Sequence, residues 1–205
     1  MVKLHINSLF TNMRCFFKIL LTVALVVSVC QYSWAADEAT PSVAELRTQA
    51  ADALTAKDSK TAIALFEQAI AADPANAPLM TDYAQALTLR INEVNFMAKG
   101  MIAGKMLKTY KTSVEIDPNH IVGWIGLSRY YLNAPPIVGG SADKAETYAK
   151  EVLARVPFLG NVEMNLVKEK RGNNEKAAEH FRATLADQPE HAEAKIGLER
   201  ATKEA

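Results

Sequence analysis

Three histidines follow residue 35, namely His120, His180 and His191, and they are the first residues to test for chemistry. A metal site needs imidazoles or thiolates at short fixed spacings. No H-x3-H pair and no histidine–cysteine pair occurs among them, so no metal site is expected. Asp117 and His120 have the residue types of half a proton relay, but no nucleophile motif accompanies them. The run Asp117-Pro118-Asn119-His120 reads instead as a link between helices, with His120 at the surface. The stretch "NAPPIVGGSADKA", residues 133 to 145, places two glycines and a serine before a helical pattern, an arrangement able to bind phosphate. No lysine follows at the spacing of G-x4-G-K-[ST]. A capped turn accounts for every residue: Ser141 caps the helix, Asp143 sits in its first turn, and Gly139 and Gly140 permit positive φ. Lys99, Lys105, Lys108 and Lys111 dot one helical segment. They are expected to form a solvated face opposite Met97, Met101, Leu107 and Tyr110; the alternative is a basic patch for acidic partners. No catalytic residue, metal or cofactor is expected.

Composition narrows the class. Of 205 residues, 23 are basic and 23 acidic. Lys3, Arg14 and Lys18 precede the apolar run ILLTVALVVSV (Ile19 to Val29), which leads to Ser33-Trp34-Ala35. A charged start, a short apolar stretch and a small-x-small site describe a secretory signal peptide, residues 1–35, cleaved after Ala35. The run is shorter than the ~20 residues a spanning helix needs. Lipidation at Cys30 is the alternative, disfavoured by Val29 before it, and Met13 offers a second start. Cleavage removes three basic residues, no acidic ones, and both cysteines, Cys15 and Cys30. The remainder is then three charges negative, with no field for nucleic acid, no span and no disulfide. One soluble domain in the periplasm or outside the cell is expected, with 36–42 as a linker.

The elements that position the remaining residues follow from a repeat. Ala62-x3-Phe66, Met106-x3-Tyr110, Ala145-x3-Ala149 and Ala177-x3-Phe181 are each followed, eight residues after the second marker, by Pro74, Pro118, Pro157 or Pro189. A small residue and a ring at i and i+4 share a helix face, where one admits the partner helix and the other fills the space beside it. The proline ends that helix. Upstream, Trp124, Leu127, Ser128 and Tyr131 repeat the pattern W-x2-L-x-x2-Y, and Leu46, Met80, Tyr83, Ala84 and Leu87 fill similar places. "AKDSKTA" and "KRGNNEKA" read as the polar turns within a pair. The prolines are spaced 44, 39 and 32 residues apart, so repeats two and three carry extra length between their helices.

From Val43 onward the chain resembles a tetratricopeptide repeat protein. The resemblance implies an all-α, right-handed solenoid of about four irregular helix pairs, over 43–205, closed by a capping helix in "EHAEAKIGLERATKEA". Between Asn95 and Pro157 it is similar to secreted bacterial tetratricopeptide proteins with an "APxxxGGSxxKA" turn. More distantly it is similar to the periplasmic T component of TRAP transporters. The first resemblance implies a scaffold for an unknown protein or peptide of the cell envelope, without catalysis. It places Arg47, Ala51, Thr81, Gln85, Thr88, Ile125, Arg129 and Leu132 along the groove, with Gln85 and Arg129 able to bond a peptide backbone or carboxylate. A transporter-accessory or small-ligand role is the alternative. The Pro135–Ser141 turn is expected to clasp the segment Phe96–Ile102, with Ile137 and Val138 against Phe96, Met97 and Met101 and close approach at Gly100.

Overall fold

The computed structural model describes residues 41–203; the expected signal peptide, residues 1–35, and its expected cleavage point lie outside the described residues. Nine α-helices occur among them: α1 Val43–Thr55, α2 Ser59–Ala72, α3 Ala77–Arg90, α4 Phe96–Ile116, α5 Ile121–Asn133, α6 Ala142–Arg155, α7 Pro157–Lys170, α8 Asn174–Asp187 and α9 Ala192–Lys203. They pack as four consecutive pairs and a final helix. The first helices α1, α3, α5, α7 and α9 also touch one another in a row, whereas the second helices do not. The array therefore has an inner layer of first helices and an outer layer of second helices.

Local chemistry sets the boundaries. Ser42 and Glu45 form a reciprocal capping box at α1, with Ser42 N–H donating to Glu45 Oε2 at 2.8 Å. Asp58, Asn76, Asn95 and Ser141 cap α2, α3, α4 and α6 through backbone N–H groups. Pro74, Pro118 and Pro189 follow the ends of α2, α4 and α8 as expected. Pro157 likewise follows the end of α6 and in addition opens α7, because Val156 alone separates the two helices. A proline lacks only an N–H that a first turn leaves unbonded anyway. The helices α6 and α7 pack closely there, and a Cβ on Gly160 would overlap the backbone of Leu153.

The repeat markers are core. Ala62, Phe66, Met106, Tyr110, Ala145, Ala149, Ala177 and Phe181 are all buried. In repeat three the marker position carries Ala149, and the missing ring comes from its neighbour: Tyr148 stacks on Tyr131 at 5.3 Å and tilts against Trp124 at 6.1 Å. The buried residues form two clusters, one from Leu46 to Val167 and a smaller one of Ala177, Ala178, Phe181, Ala194 and Ala201, with Leu166 touching both.

The two expanded repeats use their extra length differently. In repeat two it becomes helix: α4 has 21 residues against 14 in α2, and no residue of α4 before Ala103 is buried. In repeat three it becomes a turn containing a short 3-10 helix, Pro136–Val138, which lies against α4. Tyr130 Oη donates to Val138 O at 2.9 Å and Ser141 N–H donates to Tyr131 O at 2.8 Å, so α5 itself holds the turn. Within the turn only Gly139 has a positive φ, of 93°; Gly140 is needed instead because a Cβ there would overlap the Ala134 carbonyl.

The expected clasp forms only in part. Val138 and Ile102 pack onto the main core. Ile137, Phe96, Met97 and Met101 remain 80%, 76%, 81% and 74% exposed, and Gly100 has nothing close to it. The reason is that the first two turns of α4 run past the part of the helix that packs. Val138→Ser is therefore expected to cost about 1–2 kcal/mol, while Ile137→Ser stays within ~0.5 kcal/mol of wild type, both read as urea midpoints.

Candidate functional site

The inner layer is laced by polar contacts from one repeat to the next. Arg47 Nε on α1 donates to Asp82 Oδ2 on α3 at 2.6 Å. Thr81 on α3 is buried, donates to Pro78 O at 2.8 Å, and lies 3.0 Å from His120 Nε2 at the start of α5. Arg129 on α5 reaches two carboxylates at once. Its Nε and Nη2 donate to Glu163 Oε1 on α7 at 2.9 and 2.7 Å. Its Nη1 and Nη2 donate to Glu193 on α9 at 2.7 and 2.6 Å, a two-pronged pairing. Arg200 on α9 returns to Glu169 on α7 at 2.8 Å.

The electrostatics of the three-residue network follow from burial. Burial works against the charge on Arg129, but the hydrogen bonds it donates to Glu193 and Glu163 outweigh it and hold the guanidinium charged. The Arg129 bonds hold the half-exposed Glu193 below the usual carboxylate range. Glu163 goes the other way. It is 1% exposed, and burial pushes it above the usual range against the pull of Arg129. One cation is shared between two anions, and Glu163 Oε2 finds no hydrogen-bond partner, so the desolvation of the buried carboxylate is only partly offset.

Between α3, α4, α5 and the turn lies a groove of about 610 Å³. Its floor is apolar, with Ile91, Met106, Tyr110, Ile125 and Val138, and its rim carries Gln85, Thr88, Asn92 and Asn133. Gly126 admits Tyr110 to the floor, since a Cβ there would overlap the ring. A second cavity of about 570 Å³ runs between α5, α7 and α9, and Arg129 lines both.

Of the residues expected along the groove, the structure brings Gln85, Thr88, Ile125 and Arg129 together in the first cavity and Leu132 with Arg129 in the second. Arg47 is engaged with Asp82 on the same layer, Ala51 is exposed on α1, and Thr81 faces His120 inside the fold. The sequence reading missed Glu163 and the floor residues Ile91 and Met106. Val138, assigned there to the clasp, lines the same floor. His120 is half-buried rather than superficial, because α5 begins on it and Thr81 meets its ring. His191 Nδ1 accepts from Ala194 N–H at 3.3 Å, and its ring meets Phe158 at 4.8 Å. Among the described residues no group of three His, Cys, Asp or Glu could hold a metal ion, and no helix is long and apolar enough to cross a membrane.

No protein-family model and no curated protein matches the sequence. Solved structures do match. The crystal structure of TTC0263, a thermophilic TPR protein of Thermus thermophilus, superposes with a TM-score of 0.68 at 14% identity, over 93% of this chain and 96% of that one. Two crystal structures of MamA superpose with TM-scores of 0.54 and 0.50, each at 16% identity, covering 79% and 76% of this chain and 81% and 93% of theirs. The chain thus has the fold of tetratricopeptide repeat proteins: an all-α solenoid of consecutive helix pairs.

Proposed function

We propose that the chain is a non-catalytic scaffold of the bacterial cell envelope, exported by residues 1–35, whose groove holds an uncharged, apolar-faced segment of a protein partner. The observation that carries this reading is the charge state of the groove. Arg129 is the charged residue lining it, and Glu163 and Glu193 already neutralise that charge. What remains for a partner is an apolar floor with an amide and hydroxyl rim. Such a surface buries aliphatic or aromatic side chains and bonds a peptide backbone at its edges. Nothing in it selects a charged segment.

The test is capture from an envelope extract, followed by titration of the purified partner against variants. Ile125→Asp places a carboxylate on the floor, where an apolar anchor would have to meet it. Loss of a central anchor typically costs at least ~2 kcal/mol, about thirtyfold in Kd. Arg182→Asp on the outer layer should bind as wild type. Equal binding by both variants would remove the groove from the account. The cavity volume also lies in the range of small-molecule sites, about 300–1,000 Å³, which supports the ligand-carrying alternative. A native mass spectrum showing a co-purified small molecule, lost in Ile125→Asp, would favour it.

A further inference from the structure

Six large apolar side chains are strongly exposed among the described residues, and four of them, Phe96, Met97, Met101 and Ile137, belong to the unpacked start of α4 or to the turn lying against it. They do not line the groove. Met97, Met101, Gly104 and Lys108 follow one another at spacings of four, three and four, so they share one face of the helix. Lys105 and Lys111 fall on the same side, which overturns for them the expectation that the lysines of α4 face away from Met97 and Met101; Lys99, two residues after Met97, does face away. The face is apolar at its outer end and cationic further along. Its charge is one-sided: from Phe96 to Val114 the helix carries four lysines and no acid. Lys105 is held by Glu67 at 2.6 Å, while Lys108 and Lys111 make no ion pair among the described residues. The nearby acids are occupied, Glu67 by Lys105 and Tyr83 and Glu93 by Arg90 and Ser59.

We propose that the first two turns of α4, with Ile137 beside them, are a docking surface for an anionic phospholipid bilayer. A helix that carries exposed Phe and Met side chains next to unpaired lysines sits in the interface plane. Its apolar groups enter the acyl boundary and its cations meet headgroup phosphates. The local shape favours a bilayer over a protein partner. A Cβ on Gly100 or Gly104 would have nothing within 4 Å, so no wall rises beside the ridge to form a pocket. A convex apolar ridge with a cationic flank matches a flat anionic leaflet.

Cosedimentation of the processed chain, residues 36–205, with vesicles tests the proposal, one set of phosphatidylcholine alone and one containing phosphatidylglycerol. Wild type should bind the anionic vesicles more tightly and release them as salt rises. Lys108→Gln with Lys111→Gln should lower the partition constant about 25-fold, near fivefold per lysine. Phe96→Ser, Met97→Ser and Met101→Ser together should lower it at least ~10-fold. These side chains are exposed, so circular dichroism and the thermal midpoint should match wild type and show that the fold is intact. Unchanged vesicle binding by both variants would overturn the proposal. So would a triple variant whose sole defect is lost self-association in sedimentation velocity, since the ridge would then be a contact between copies of this chain.

Discussion

Phe181→Ala is expected to remove about 3–5 kcal/mol from the C-terminal part of the array, the typical cost of deleting a fully buried ring. Phe181 is the only large side chain among the buried residues of its cluster; the rest are Ala177, Ala178, Ala194 and Ala201. It is also what Gly197 of α9 packs on, since a Cβ at Gly197 would overlap the ring. The large groups beside it, Leu166, Leu185 and Leu198, are only partly buried and pack against the cluster from outside. In a quasi-linear array the loss should reach the adjacent repeat and fade beyond it. Hydrogen exchange should therefore accelerate in α8 and α9 first, with α1 to α3 nearly unaffected. Phe66→Ala, in the main cluster, should cost as much but destabilise the N-terminal helices instead. An unchanged urea midpoint for either variant would show that these rings are not the packing units of their pairs.

Arg129→Leu should cost about 3 kcal/mol, the lower end for breaking a buried pair, because the guanidinium is itself about a third exposed. The larger part of that cost comes from Glu163, left buried without its cation. Adding Glu163→Leu should recover most of the loss, since a buried ion pair replaced by apolar groups of similar size is often nearly neutral. The pH dependence has a definite sign. Glu163 already sits above its ordinary value because of burial, and losing Arg129 raises it further. A group with a raised folded value favours the fold in its protonated form, so its destabilising effect grows as pH rises through that value. The Arg129→Leu deficit should thus be smaller near about pH 5 than near about pH 8. Glu193 behaves oppositely in wild type. Arg129 lowers it, so its contribution is present above the unfolded carboxylate value and fades as pH falls through the folded one. A single variant as stable as wild type at both pH values would show that the network does not tie α5 to α7 and α9.

The helix pairs were legible because their markers are local. A small residue, a ring four residues on and a proline eight beyond lie within one helix and its end. The tetratricopeptide resemblance placed residues along the groove, and of these Gln85, Thr88, Ile125 and Arg129 meet in one cavity. Neither the resemblance nor the marker register says what lies across the gap. Arg47 and Asp82 are 35 residues apart, Thr81 and His120 are 39 apart, and Arg129 and Glu193 are 64 apart. Such pairs depend on how repeats stack. Glu163 was missed for the same reason, and because its helix matches the repeat least well. Proline spacing counts the extra residues of repeats two and three but not their conformation. It does not distinguish an overhanging helix from a turn, and so Phe96, Met97 and Met101 read as buried groups. Tyr148 replaces the ring absent at Ala149 from one residue away, a substitution visible only once α5 and α6 are packed together.

Site-specific photocrosslinking tests the central claim, that a protein partner occupies the inner groove, most directly. A photoreactive amino acid in place of Gln85, which is exposed on the groove rim, should give one dominant crosslinked partner in an envelope extract. The adduct should vanish when Ile125→Asp is added, and the same probe at Arg182 on the outer layer should give none. Equal crosslinking from Arg182 and Gln85, or an adduct at Gln85 that survives Ile125→Asp, would contradict the account and place the partner on another face.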